Sequence, residues 1–300
     1  MIRSLLLRIL PFLFSSLPVA AGADPAPRDI FLLIGQSNMA GRGAIEEQDK
    51  IPHPRIFVLN EQKMWVPAVD PLHFDKPAMV GVGLGSAFAR VVAEAEPSAL
   101  IGLVPAAFGG TSLDQWAPGG ELYTHAADRA RLALATGARL RAILWHQGES
   151  DSTAEKAATY AVRFDRMITR LRADLGSPDV PVIVGELLHR RTASAVMNPV
   201  LRNLPNSIAR CLCVSANGLS DKGDQTHFDS ASLRELGRRY ARAFLSMPAA
   251  NAAVGKSVQR NDSADVPTMA DAAVASPSWA GPGAVRATMM PANKVTKTSF

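Results

Sequence analysis

Cysteine is nearly absent from this 300-residue sequence; only Cys211 and Cys213 occur. They stand two apart in Arg-Cys-Leu-Cys-Val. On a strand they would share one face at a separation beyond comfortable disulfide reach. A disulfide framework is excluded, and two small buried apolar side chains fit better than a redox pair or a metal site. Lysine and arginine form no extended block. The chain has 32 basic and 27 acidic side chains, net +5, but the two signs are interspersed, which argues against a nucleic-acid footprint. No internal repeat is visible. Gly81, Gly83 and Gly85 precede a helical pattern, but their spacing is not Gly-x-Gly-x-x-Gly and no clear strand leads into them, which disfavours dinucleotide binding.

What is present reads as a globular chain: 47% hydrophobic and 20% charged, enough for one large core or two small ones. The N-terminal stretch MIRSLLLRILPFLFSSLPVAAGAD has Arg3 at its start, a short apolar run broken by Arg8 and Pro11, and Ala21-Gly22-Ala23 as an A-x-A cleavage site. Residues 1–23 are therefore expected to be a secretory signal. An uncleaved anchor is the alternative, but the run is too short and broken for a comfortable span. Cleavage after Ala23 would remove Arg3 and Arg8 and lower the net charge to +3. The product would be secreted or periplasmic, with no stable membrane insertion. From Ser246 onward the chain is rich in Ala, Pro, Ser and Gly and lacks apolar periodicity, so residues 246–300 are expected to be a disordered tail. Residues 28–245 remain as a single domain; the oligomeric state is not legible.

Within that domain short apolar runs alternate with helical patterns. Strands are expected at DIFLLIG, RIFVLN, ALIGLVPAA, LRAILWHQ, VPVIVGEL and CLCVSA. Helices are expected at GSAFARVVAEAE, LYTHAADRARLALATG, TAEKAATYAVRFDRMITRLRADLG and SASLRELGRRYARAFL. This alternation, with near-continuous apolar strands, describes an α/β fold whose parallel sheet is covered on both faces. Such sheets carry their sites at the carboxyl ends of the strands.

Four polar segments fall at those ends. Ser37, in Gly-Gln-Ser-Asn-Met, follows the first strand and is either an exposed nucleophile or a helix N-cap. Gly109 and Gly110, in Gly-Gly-Thr, either let backbone N–H groups approach a ligand or form a plain turn. His146, Gln147, Glu149, Ser150 and Asp151 crowd one strand end: Gln147 offers an amide donor, Asp151, Ser152 or Thr153 could cap the next helix, and His146 could be a core histidine. Asp224 and His227 are three apart just before the last helix, a spacing at which a carboxylate can reach an imidazole.

Gly-Gln-Ser-Asn-Met, Gly-Gly-Thr, His-Gln-Gly-Glu-Ser-Asp and the Asp-x-x-His before the final helix together resemble the SGNH hydrolase superfamily. More narrowly, they resemble its sialate O-acetylesterase and acetylxylan esterase group, carbohydrate esterase family six. The likeness covers residues 29–245. Gln36 stands where the superfamily usually has an acidic residue and Gln147 where it has asparagine; both departures fit the narrower group. The likeness implies a flavodoxin-like three-layer α/β/α sandwich with a central parallel sheet, and ester hydrolysis with no metal and no cofactor. It implies Ser37 as nucleophile, His227 as base and Asp224 as its acid, with Glu149 as the alternative acid. The Ser37 N–H, the Gly109 N–H, with Gly110 as the alternative, and the Gln147 side chain would hold the oxyanion. The serine is not in a Gly-x-Ser-x-Gly elbow, which sets the chain apart from α/β-hydrolases. The expected substrate is acetylated carbohydrate, acetylxylan-like or O-acetylated sialic acid, with Trp116 as a sugar-stacking face. A catalytically silent carbohydrate-binding protein on the same fold is the alternative.

Overall fold

The computed structural model describes residues 26–189 and 192–248. The expected signal lies outside the described residues, as does the expected tail from residue 249 onward. Seven strands form one sheet: β1 (Asp29–Gly35), β2 (Ile56–Leu59), β3 (Trp65–Pro67), β4 (Ile101–Pro105), β5 (Arg139–His146), β6 (Val182–Gly185) and β7 (Cys211–Val214). Their order is β3-β2-β4-β1-β5-β6-β7. All neighbours are parallel except β2 and β3, which pair antiparallel. Strands β4-β1-β5-β6-β7 follow the flavodoxin-like order, and the β2–β3 hairpin extends the sheet beyond β4. The helices are α1 (Ser37–Ala40), α2 (Gly85–Ala95), α3 (Glu121–Leu134), α4 (Ala154–Asp174), α5 (Thr192–Ser207) and α6 (Ser230–Leu245). Among the described residues no helix is long and apolar enough to cross a membrane.

Alternation along the strands divides the interior into two cores. Ile30, Leu32 and Ile34 of β1 join Trp145, Val182 and Val184 against α3, α4 and α5. Phe31 and Leu33 join Leu103, Leu144 and Ile183 against α2 and α6. Every residue of β1 is buried, as a central strand covered on both faces must be. The last residue of the strand is glycine because no larger residue fits. A Cβ there would lie 2.2 Å from the His146 carbonyl oxygen, and the next residue, Gln36, donates its N–H to that same oxygen at 2.9 Å. The close approach sets the Ser37 turn directly beside the end of β5.

Two elements differ from expectation. The three-residue β3 is antiparallel, so the sheet is mostly rather than wholly parallel. Helix α5 contains Pro199 and Pro205, residues that normally argue against a helix interior. Cys211 and Cys213 are free thiols on β7, and burial pushes both up to about 12.

Candidate active site

The ends of β1, β4 and β5 and the loop before α6 meet at one edge of the sheet. Ser37 opens α1, and Gln36, not Ser37, is its N-cap residue. The serine hydroxyl is turned instead toward the loop before α6: Ser37 Oγ lies 3.0 Å from His227 Nε2. On the far side of the ring, His227 Nδ1 is 2.7 Å from Asp224 Oδ2. Asp224 Oδ1 also accepts from the backbone N–H groups of Thr226 at 2.9 Å and His227 at 2.8 Å. Partial burial pushes the carboxyl up, but the His227 N–H, the imidazole and the Thr226 N–H outweigh it and hold Asp224 at about 2. An ionised acceptor at Nδ1 fixes the tautomer, with the proton on Nδ1 and the Nε2 lone pair facing the serine.

The loop is braced by its own backbone. Lys222 N–H donates to the His227 carbonyl at 3.0 Å, and Asp221 Oδ1 accepts from Gly223 and Gln225. Asn38 locks it to the serine. Its Nδ2 donates to the Thr226 carbonyl at 3.1 Å and its Oδ1 accepts from Phe228 N–H at 3.1 Å, gripping the residues on both sides of His227. The only sequence signal for Asn38 is its place next to Ser37; its burial and its partners are seen only in the structure. Glu149 also belongs to this clamp: its Oε1 accepts from Asn38 Nδ2 at 2.6 Å.

The other expected residues divide. Gln147 is fully buried, and both amide hydrogens are engaged, with the Thr111 carbonyl at 3.1 Å and Asp151 Oδ2 at 2.6 Å; its Oε1 accepts from Tyr160 at 2.8 Å. The arrangement leaves it no hydrogen for an oxyanion, so the expectation of a donor there is corrected. Asp151 does not cap α4, which is capped by Thr153; it accepts from Gln147 and from Leu113 N–H at 2.8 Å. Gly109, the preferred glycine donor, has its N–H taken by Asp75 Oδ2 at 2.8 Å, whereas the Gly110 N–H, like that of Ser37, has no acceptor among the described residues, so the expectation shifts from Gly109 to its alternative. Trp116 is 1% exposed, donates its indole N–H to Thr111 Oγ1 at 3.1 Å and packs edge-on against Trp145. It offers no stacking face, because the hydrophobic effect has drawn it into the core. The exposed aromatic beside the glycines is Phe108, 40% accessible, with Lys76 Nζ 5.9 Å from its ring centre. His146 is a core residue: it packs against Phe228 and lies 3.1 Å from the Tyr240 hydroxyl, and burial pushes it down to about 4.

This geometry can be compared with known proteins. Residues 27–246 match the family described as carbohydrate esterase, sialic acid-specific acetylesterase. A probable carbohydrate esterase of Arabidopsis thaliana is 36% identical over 240 residues, which is 73% of this chain and 91% of that protein. A crystal structure of an Arabidopsis thaliana protein superposes with a TM-score of 0.69 at 34% identity, covering 73% of this chain and 98% of the other. NanS shares the fold at 20% identity and a TM-score of 0.61, with 74% of this chain and 98% of NanS covered. With its sheet, its edge cluster and these relatives, the chain belongs to the sialic acid-specific acetylesterase family of carbohydrate esterases.

Proposed function

We propose that the protein removes O-acetyl groups from carbohydrate through a transient acetyl-Ser37. The observation that carries this reading is the unbroken relay from Asp224 through His227 to Ser37, at 2.7 and 3.0 Å. His227 Nε2 takes the hydroxyl proton as Ser37 Oγ attacks the acetyl carbonyl carbon, and Asp224 stabilises the imidazolium that results. The negative oxygen of the tetrahedral intermediate is held by the Ser37 and Gly110 N–H groups. On collapse, the C–O bond to the sugar breaks and the imidazolium returns the proton to the departing sugar oxygen. Water then repeats the sequence against the acetyl-serine, releasing acetate and restoring the hydroxyl. General-base help of this kind contributes roughly 10²–10⁴-fold.

The sugar side is supported by Phe108 and by a cavity of about 240 Å³ that Phe108 shares with Phe74, Leu122 and His125. Both offer apolar surface next to the glycine loop. Acetylxylan-like polymer and O-acetylated sialic acid present the same ester to the serine. An exported enzyme, cleaved after Ala23, would meet such substrates outside the cytoplasm, and N-terminal sequencing of the secreted product should begin at Asp24.

Acetate release from acetylxylan and from O-acetylated sialic acids, measured side by side, tests the reading. The expected result is turnover of at least one, abolished in Ser37→Ala, together with labelling of Ser37 by a fluorophosphonate. A folded protein that neither labels nor releases acetate is a binder, and the esterase mechanism fails.

A further inference from the structure

We propose that Asp75 and Arg42 are positioning residues that determine which glycine N–H faces the acyl oxyanion; this rests on the acetyl-ester reading above. The two side chains form an ion pair, Arg42 Nη2 to Asp75 Oδ2 at 2.9 Å, with exposures of 1% and 2%. Neither belongs to the serine–histidine–aspartate relay. Arg42 Nη1 donates to the Gly41 carbonyl at 2.7 Å, and Gly41 is the residue that ends α1, the turn carrying Ser37. Asp75 Oδ2 accepts a second bond, from Gly109 N–H, at 2.8 Å. One carboxylate oxygen therefore joins the nucleophile's turn to the glycine loop.

The bonding is directed at the backbone. Asp75 Oδ1 and Arg42 Nε have no hydrogen-bond partner among the described residues. A buried pair of this kind stabilises a fold no better than an apolar substitute of the same size. What an apolar pair cannot supply is a fixed acceptor for one chosen N–H. The loop is fixed elsewhere as well: Phe108 N–H donates to the Gly35 carbonyl at 2.9 Å, and Gln147 and Asp151 hold Thr111 and Leu113. Asp75 supplies the tie at Gly109 and leaves Gly110 with its N–H free. The contact also accounts for glycine at 109, since a Cβ there would sit 2.4 Å from Arg42 Nη2. Capture of one N–H so that its neighbour is presented is preorganisation of the kind that lowers the barrier to a charged intermediate.

Removing one partner alone would strand a buried charge and confuse folding with catalysis, so the test uses paired variants. R42M/D75L removes both charges and the acceptor; R42M/D75N removes both charges but keeps an amide oxygen for Gly109 N–H. The readouts are kcat and KM on 4-nitrophenyl acetate and the rate at which a fluorophosphonate labels Ser37, with circular dichroism as the check of folding. R42M/D75L should lose about 100-fold in kcat and in labelling rate, the scale of one lost oxyanion donor, with KM within about three-fold. R42M/D75N should recover at least about ten-fold of that loss. If R42M/D75L does not fold, Asp75→Ala is held in sodium formate, whose carboxylate pairs with the stranded Arg42, and at unchanged circular dichroism formate but not chloride should raise kcat. The proposal is overturned if folded R42M/D75L keeps kcat within about three-fold of the parent, if KM alone changes, or if neither asparagine nor formate restores turnover. A parent that hydrolyses the aryl acetate but no acetylated glycan sinks only the carbohydrate reading, and a parent inert to both probes overturns the two together.

Discussion

Two carboxylates stand close to the His227 loop, and they have different neighbours. Asp224 meets the imidazole at 2.7 Å, while Glu149 meets Asn38 at 2.6 Å. Asp224→Asn should therefore lower kcat by about 10³–10⁴-fold, because an amide no longer fixes the tautomer. Glu149→Gln, which keeps an acceptor for Asn38, should cost less than about ten-fold. Kinetics on 4-nitrophenyl acetate decides the matter, and the reverse ranking would make Glu149 the acid. Asp224 also bears on pH. Its folded value near 2 lies below the ordinary 3.8, so its ionised form contributes to stability above about pH 4 and that contribution is lost as pH falls toward 2. Asp224 is thus expected to stay ionised between pH 7 and pH 5, and an NMR titration of its side-chain carboxyl that placed its midpoint above pH 5 would contradict this.

At the scale of elements, Gly35 shows how close the strand ends lie. Gly35→Ala should destabilise the domain by ~3 kcal/mol or more, the sum of overpacking and φ strain, seen as a fall of about 10 °C in Tm. An unchanged Tm would mean that β1 and β5 separate more easily than the 2.2 Å approach implies. Six of the seven strands are legible in the sequence because each is an apolar run bounded by turn residues. β3 is not: three residues ending in proline carry no alternation to detect. α5 is hidden by two prolines whose cost is offset by tertiary packing, including Met197, Leu201 and Leu204 in the core. The site shows the same division. Asp224 and His227 are visible because their partnership is local, and Ser37 because the strand before it is so plainly buried. The roles of Gln147, Asn38 and Asp75 depend on partners 36, 190 and 34 residues away, and spacing does not carry that information. The burial of Trp116 is illegible for a related reason, since its position beside Gly-Gly-Thr says nothing about which way the ring turns.

For the molecule as a whole, stability should carry the mark of Asp70, which is buried and lines a cavity with residues of α2 and α6. Burial pushes this carboxyl up to about 7; Ser86 and the Gly83 N–H pull the other way, but neither oxygen has a partner in hydrogen-bond geometry among the described residues. Because the folded value exceeds the ordinary 3.8, the contribution is fully present below about pH 4 and is lost as pH rises through 7. Asp70→Asn should abolish that slope and raise stability at pH 8 by up to ~4 kcal/mol; denaturant melts at pH 4.5 and pH 8 provide the measurement, and parallel pH profiles for the two proteins would refute it. A last consequence concerns biosynthesis. Ser37 and His227 are 190 residues apart, so the ribosome delivers the hydroxyl roughly 10–40 s before the imidazole that meets it, at 5–20 residues per second. Throughout that interval the Ser37–His227 contact cannot form, and a fragment ending before residue 227 never acquires it.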